Sequence, residues 1–133
     1  MGTWGAGSFD NDSALDWIQD FAEEPAIAKI ASALTLTGED ELADALDCEE
    51  AIVAAEVICL LGGNCCPDFP QEEKEALQHH PMILPPGLKD QAASTMKRII
   101  EQSELRDLWE ESGDVNEWLD AMTALIHRLH AVS

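Results

Sequence analysis

The chain has 133 residues, of which 46% are hydrophobic, and seven Lys and Arg stand against 27 Asp and Glu, a formal net charge of −20. This length and composition indicate a single globular domain, residues 1–133, that needs no disulfide or metal in order to fold. The charge excludes ordinary nucleic-acid binding, which requires Lys and Arg against phosphates, and argues against docking on anionic membranes.

The location is predicted from the N-terminus and the cysteines. The first residues lack the basic residues and apolar core of a signal peptide, and the longest apolar run, residues 51–61, is too short to cross a bilayer. The four Cys are therefore expected to be reduced thiols in a cytoplasmic protein. The acidic residues are unevenly placed, since residues 1–73 contain 17 of the 27 beside a single basic residue, Lys29.

Two helices are predicted after a Gly-rich N-terminal arm, residues 1–9. Ser13 and Asp16 have the spacing of a capping box, which predicts a helix start. Pro25 is typical of the first position of a second helix, and Gly38 is expected to end it. The apolar residues expected to face the core are Ala14, Trp17, Ile18 and Phe21 in the first helix, and Ile27, Ile30, Ala31 and Leu34 in the second.

A third helix is predicted over about 40–62, ended by Gly62 and Gly63. Residues 51–61 are apolar on nearly every face, which is typical of a helix buried at the centre of a domain. The apolar stripe expected to run along this central helix is Leu42, Leu46, Val53, Val57 and Leu60.

Residues 62–86 contain five of the six prolines and are predicted to be a connection with one short helix, from Pro70 to about Gln78. The helical period returns at Leu88 and breaks near Ser103, where a short helix carrying Leu105, Leu108 and Trp109 is predicted to follow. After Gly113, a final helix is opened by a cap at Asp114 with Glu117 at the N3 position. No segment alternates with period two. The predicted fold is all-α: a single-domain helical bundle or orthogonal array of about five to six helices.

The N-terminal block is the most distinctive stretch of the sequence. Residues 54–57, Ala-Ala-Glu-Val, and 103–109, which include Ser-Glu-Leu and Leu-Trp, add to it. The N-terminal block reads Gly2-x-Trp4-Gly5-x-Gly7-x-Phe9-x-Asn11-Asp12-x-Ala14-x-Asp16-Trp17. Together these stretches resemble the bacterial domain of unknown function 4259 family.

This resemblance runs from the first residues to the penultimate helix, and it implies a single helical domain but no activity. No family pattern is recognised in residues 62–87, so the Cys and His residues there gain no support from it. Within the block, Trp4, Phe9, Asn11, Asp12 and Trp17 are candidate site residues. The alternative is structural, because Trp4 and Phe9 could hold the arm against the bundle while Asn11 and Asp12 cap a helix.

Glu56 is the candidate for acid or base chemistry because it is the one charged residue in the apolar run 51–61. A buried carboxylate is costly unless it is paired or protonated. Glu56 is predicted either to act as a general acid or base, or to accept hydrogen bonds in a structural role, which is the favoured interpretation. The partners considered are a Trp indole, a helix cap and the bases Arg98, Arg106 and Arg128.

Cys65, Cys66, His79 and His80, with Cys59 nearby in sequence, are the only metal-ligand candidates. Zinc ligands are usually separated by two to four residues, because adjacent residues seldom both face one ion. The sequence therefore predicts no metal and no other cofactor. A Cys–His nucleophile is not expected either, since nothing nearby would lower a thiol pKa.

Acidic residues recur at helical spacing on two predicted helices. An exposed stripe of carboxylates could bind a basic protein drawn in by long-range steering, could imitate a DNA backbone, or could be plain solvated surface. The candidate binding residues are Asp12, Asp16 and Asp20 on the first helix and Asp40, Asp44 and Asp47 on the third.

Three functions remain open from the sequence. The favoured one is a non-enzymatic interaction module that binds a basic protein through the acidic front half, as an immunity or inhibitor-like protein would. The alternatives are a small metal-dependent or acid/base enzyme using Glu56 or the Cys65/Cys66/His79/His80 cluster, and a self-associating scaffold. Because the net charge opposes self-association, a monomer or weak homo-oligomer is expected.

Overall fold

The computed structural model describes residues 5–35 and 42–132, and the all-α class is confirmed. These ranges contain seven helices, rather than about five to six, because the two short segments after residue 62, residues 71–78 and 104–112, both form complete helices. None of these seven is long and apolar enough to span a membrane. They are α1 (Asp12–Glu23), α2 (Ile27–Leu34), α3 (Ala45–Leu61), α4 (Gln71–Gln78), α5 (Leu88–Glu101), α6 (Glu104–Ser112) and α7 (Val115–Ala131).

Helix α3 lies at the centre, as predicted, and α1, α2, α5, α6 and α7 pack against it. Every residue from 51 to 60 is buried. A helix enclosed on all sides needs apolar residues on all sides, which explains the unbroken apolar run. The outer helices are amphipathic, and the fully buried side chains that they direct into the core include Ile18, Phe21, Met96, Ile99, Leu125 and Leu129.

The predicted beginning of the central helix, near residue 40, is wrong. Helix α3 begins at Ala45, because the Asp44 side chain accepts a hydrogen bond from the Leu46 amide at 2.7 Å and caps the helix there. Ala43 is held outside the helix, since its carbonyl accepts a hydrogen bond from the Glu104 amide at 2.9 Å. Leu42 and Leu46 are therefore about half exposed (46% and 50%) and do not belong to the buried stripe.

The boundaries of the first two helices also differ from the predicted ones. Asn11, rather than Ser13, caps α1, and its side-chain oxygen accepts a hydrogen bond from the Ala14 amide at 2.8 Å. Pro25 does not open α2, because Ala26 has extended backbone and serves as the N-cap. Helix α2 ends at Leu34, and the predicted stop at Gly38 lies outside the described residues.

The chain breaks in the second half lie where they were predicted. The hydroxyl of buried Ser103 donates to the Ile99 carbonyl at 2.8 Å and accepts from the Arg106 amide at 3.0 Å, ending α5 and starting α6. Asp114 is the N-cap of α7, but its side chain makes no capping hydrogen bond, so the predicted side-chain cap with Glu117 is wrong. Instead, the Glu117 amide bonds the backbone carbonyl of Asp114 at 3.1 Å.

Three thiols are part of the core: Cys48, Cys59 and Cys66. Burial raises the pKa of each from 9.0 to about 12. Because the folded pKa exceeds the unfolded value, the unfolded chain releases these protons first as the pH rises. The stability that the thiols contribute is therefore complete below pH 9 and is lost as the pH rises towards 12.

We expect the free energy of unfolding to fall between pH 9 and pH 11, with each buried thiol contributing a slope of up to about 1.4 kcal/mol per pH unit. Urea unfolding at stepped pH values measures this slope. Cys59→Ala should flatten it more than Cys65→Ala, because Cys65 is only half-buried. Equal slopes in the wild type and Cys59→Ala would contradict the assignment.

Candidate functional site

The N-terminal arm folds back on itself at Asp10. The Asp10 carboxylate accepts a hydrogen bond from the Gly7 amide at 3.0 Å, and the Asp10 amide donates to the Gly7 carbonyl at 3.1 Å. A Cβ atom added at Gly5 or Gly7 would lie 2.5 or 2.8 Å from the same carboxylate oxygen. Glycine at these positions therefore lets Asp10 close the turn.

The arm is anchored on the bundle by the residues that follow it. The ring of buried Phe9 packs against that of Phe69, with centroids 4.8 Å apart, and Asn11 caps α1 as described. Trp17 is half-buried and stacks on Phe21, with centroids 5.0 Å apart and planes at 9°. The structural interpretation of the motif thus fits Phe9 and Asn11; Asp12 is exposed, and Trp4 lies outside the described residues.

The carboxylate of Glu56 is buried in α3, with 1% of the residue exposed, and it is fully engaged. Arg128 of α7 donates one guanidinium hydrogen bond to each oxygen, the one to Oε2 at 3.1 Å. The hydroxyl of Ser8 donates to Oε2 at 2.6 Å, which ties the arm to the pair. Burial by itself would lower the pKa of the Arg128 guanidinium. The hydrogen bonds and negative charge of Glu56 raise that pKa by more than burial lowers it, so Arg128 stays charged.

The metal-ligand candidates do not assemble. Cys65 and Cys66 precede α4 and are half-buried and buried, respectively. His79 and His80 follow α4 and are exposed. His79 Nδ1 lies 2.7 Å from the Glu75 carbonyl, within its own helix turn. No group of three or more Cys, His, Asp or Glu side chains in the described ranges is arranged to hold a metal ion. The thiols have raised pKa values because of burial, which opposes nucleophilic chemistry.

A small pocket lies between the arm and helices α3, α6 and α7, with a cavity volume of about 30 Å³. Arm residues 5–8 form one wall, Trp109 and Trp118 contribute aromatic side chains, and Glu49 contributes the one charged group among the described lining residues. Burial, followed by the charges of Asp44 and Glu50, raises the pKa of Glu49. We call this space the arm pocket.

Helices α1, α2 and α3 enclose a larger, open groove of about 560 Å³. Its acidic side chains are Asp20, Asp47 and Glu50, and Trp17 contributes an aromatic side chain beside them. Burial and the neighbouring charge of Asp47 raise the pKa of Glu50. We call this space the acidic groove.

The structure separates the five predicted binding aspartates that lie in its described residues. Asp20 and Asp47, from different helices, come together in the acidic groove. Asp12 and Asp16 are exposed on α1 outside it, and Asp44 caps α3. Asp40 lies outside the described residues.

Four residues that line these two spaces were not predicted as site residues from the sequence: Glu49, Glu50, Trp109 and Trp118. A signal for Glu49 was present, because Glu49 and Glu56 are seven residues apart and therefore share one face of a helix. Glu50 and both tryptophans were indistinguishable from surface or core residues by spacing alone. Only packing places the two tryptophans beside a carboxylate.

The interaction between Glu56 and Arg128 predicts an asymmetric effect on stability. Arg128→Met should lower the free energy of unfolding by about 3–5 kcal/mol, because it leaves a buried charge unpaired. Adding Glu56→Gln to that variant should restore part of the loss. Lys29→Met, which removes an exposed ion pair with Glu24 at 3.8 Å, should cost less than about 1 kcal/mol.

Urea unfolding of the four proteins measures these differences. If Arg128→Met proved no more destabilising than Lys29→Met, the structural role assigned to Glu56 would be wrong.

Comparison with known proteins agrees with the resemblance seen in the sequence. A family model described as a domain of unknown function, DUF4259, matches residues 2–121. No curated protein and no solved structure matches the chain. The matched region takes in the arm, Glu56 and the arm pocket apart from Met122, whereas Arg128 lies beyond its end. Because the match extends over most of the sequence, the chain belongs to the DUF4259 family.

Proposed function

We propose that this protein is a non-enzymatic interaction module that binds a basic protein partner. The observation that carries the proposal is the acidic groove, which Asp20, Asp47 and Glu50 line together with Trp17. Carboxylates and a Trp side chain in one concave site suit the side chain of Lys or Arg, because the ring attracts a cation and the carboxylates pair with it.

The groove has the size and charge that this function requires. Its volume of about 560 Å³ is within the range of ordinary binding clefts, roughly 300–1,000 Å³. Lys29 also lines the groove, but its ammonium group hydrogen-bonds the Glu24 carbonyl at 2.6 Å. Three carboxylates therefore face one already engaged cation, and a bound Lys or Arg would relieve their mutual repulsion.

The rest of the acidic surface supports the same proposal. A net charge of −20 attracts a basic protein over a distance and accelerates its association. A further groove, between α1 and α4, is lined by Glu23, Glu72 and Glu73, so carboxylates flank α1 on two sides. We infer that the partner covers this acidic side of α1 and inserts one basic side chain into the acidic groove.

An enzymatic function has less support from these residues. The carboxylate of Glu56, the candidate for acid or base chemistry, is already bound by Arg128 and Ser8. We also infer a cytoplasmic location, because Cys48, Cys59, Cys65 and Cys66 are all free thiols.

Neutralising carboxylates of the groove should weaken partner binding, whereas neutralising the same number of charges away from the groove should not. We expect Asp20→Asn with Asp47→Asn to weaken the complex by roughly tenfold or more, since charge-assisted contacts are lost. Asp107→Asn with Asp120→Asn is the matched control, because it changes the net charge equally at exposed positions of α6 and α7, helices that do not line the groove.

The test is affinity capture from the native cell's lysate with the wild type and both variants, each first checked for unchanged thermal unfolding. The proposal expects a basic protein that the wild type and the control retain in equal molar amount and that the groove variant loses. High salt should release it, because at 1 M salt the screening length is only about 3 Å. Equal retention by all three proteins, or retention that is insensitive to salt, would contradict the proposal.

A further inference from the structure

We propose that the arm pocket is a second binding site, separate from the acidic groove, and that it takes a small ammonium group such as the aminomethyl end of a lysine side chain or of a free primary amine. The site is the space between arm residues 5–8, Glu49 and the side chains of Trp109 and Trp118.

The charge of the pocket selects a cation. Glu49 is the single charged residue among the described residues that line it, and no Lys, Arg or His lines it. In the described parts of the chain, no hydrogen bond or ion pair engages the Glu49 carboxylate. Asp44 and Glu50 add negative charge around it. An anion would thus be repelled, whereas a cation would receive an acceptor that the fold leaves unused.

The aromatic lining favours the same ligand. Trp109 is half-buried and Trp118 is only 2% exposed, so both side chains are packed against the rest of the protein. The face of a Trp ring attracts ammonium groups more strongly than that of any other aromatic residue, and the attraction grows when water is excluded. Leu105 and Met122 complete an apolar lining that suits the methylene carbon next to the nitrogen.

The size of the pocket limits the ligand to about two heavy atoms at its inner end. A water molecule needs roughly 10–15 Å³ of such space, so about 30 Å³ holds two groups of that size. A carbon and a nitrogen fit this volume. Tetramethylammonium, with five heavy atoms, does not.

The arm gives the pocket its wall and controls its shape. The Ser8 hydroxyl donates to Glu56, the Gly7 amide donates to the Asp10 carboxylate, and Gly5 lies close to that carboxylate. The stretches that carry the family resemblance meet here, because Gly5, Gly7 and Asn11 come from the N-terminal block and Leu105 and Trp109 from the stretch in α6. The distinctive motif of the chain therefore builds this site.

The experiment is a titration of the ¹⁵N-labelled protein with methylammonium chloride, followed by the indole N–H resonances of the tryptophans. Sodium chloride at equal concentration is the control for ionic strength. We expect saturable shifts at Trp109 and Trp118, while the indole resonance of Trp17 reports separately on the acidic groove. A Kd of roughly ten millimolar is near the limit for a ligand of two heavy atoms.

Two variants and one larger cation make the test specific. Glu49→Gln keeps the shape of the side chain and should weaken binding about tenfold, whereas Glu23→Gln, at an exposed position outside the pocket, should leave it unchanged. Tetramethylammonium should produce no saturable shift at Trp118. Trp109→Leu should weaken binding while preserving Glu49, which checks the aromatic contribution independently of the charge.

The source of the ammonium group is distinguished by a short peptide with one lysine and its norleucine counterpart. Shifts caused by the lysine peptide and abolished by Glu49→Gln assign the site to a protein lysine, and shifts caused by methylammonium alone assign it to a free amine. The proposal is overturned if methylammonium shifts no pocket resonance beyond the sodium chloride control, or if Glu49→Gln binds as well as the wild type. Either result leaves the acidic groove untouched, because Trp17 reports on that site separately.

Discussion

The burial of one carboxylate at the centre of the fold is the constraint on which the rest of the structure depends. Glu56 lies in a helix that is enclosed on all sides, and a charge there is tolerated only when an opposite charge and hydrogen bonds reach it. Arg128 brings the charge from α7, and Ser8 brings a hydroxyl from the N-terminal arm. One interaction therefore unites the first segment of the chain, its central helix and its last helix.

The position of the arm follows from this interaction, and the arm pocket follows from the position of the arm. Once Ser8 is bound at Glu56, residues 5–8 lie over the face of α3 that also carries Glu49, two helical turns earlier. Helices α6 and α7 close the space from the other side with Trp109 and Trp118. The ion pair between Glu56 and Arg128 thus positions the arm residues that form one wall of the arm pocket, although neither Glu56 nor Arg128 lines that pocket.

The two glutamates on this face of α3 have different surroundings and therefore different roles. The charge of Glu56 is neutralised within the protein by Arg128, which suits a structural group. The charges of Glu49 in the arm pocket, and of Asp20, Asp47 and Glu50 in the acidic groove, have no comparable internal partner in the described residues. Carboxylates that the fold leaves uncompensated are the groups that an external cation can stabilise, so both proposed sites favour the same chemistry in their ligands.

The sequence by itself determined the helical class, the central position of α3 and the buried carboxylate within it. These follow from local periodicity and from the apolar run 51–61, which the chain carries regardless of its partners. The break near Ser103 was also readable, because the apolar period is interrupted there. Glu56 was recognisable as a residue in need of a partner, and Arg128 was one of the three arginines considered.

The tertiary structure alone decided the helix start near Ala45, the choice of Arg128, and both candidate sites. Leu42 fits an apolar stripe, yet Glu104 binds the Ala43 carbonyl and keeps this segment out of the helix. The acidic groove joins aspartates from two helices, and the arm pocket joins Glu49 to tryptophans about 60 or more residues away in sequence. Periodicity reports which face of one helix is buried, but only the packing of several helices determines which side chains meet across the space between them.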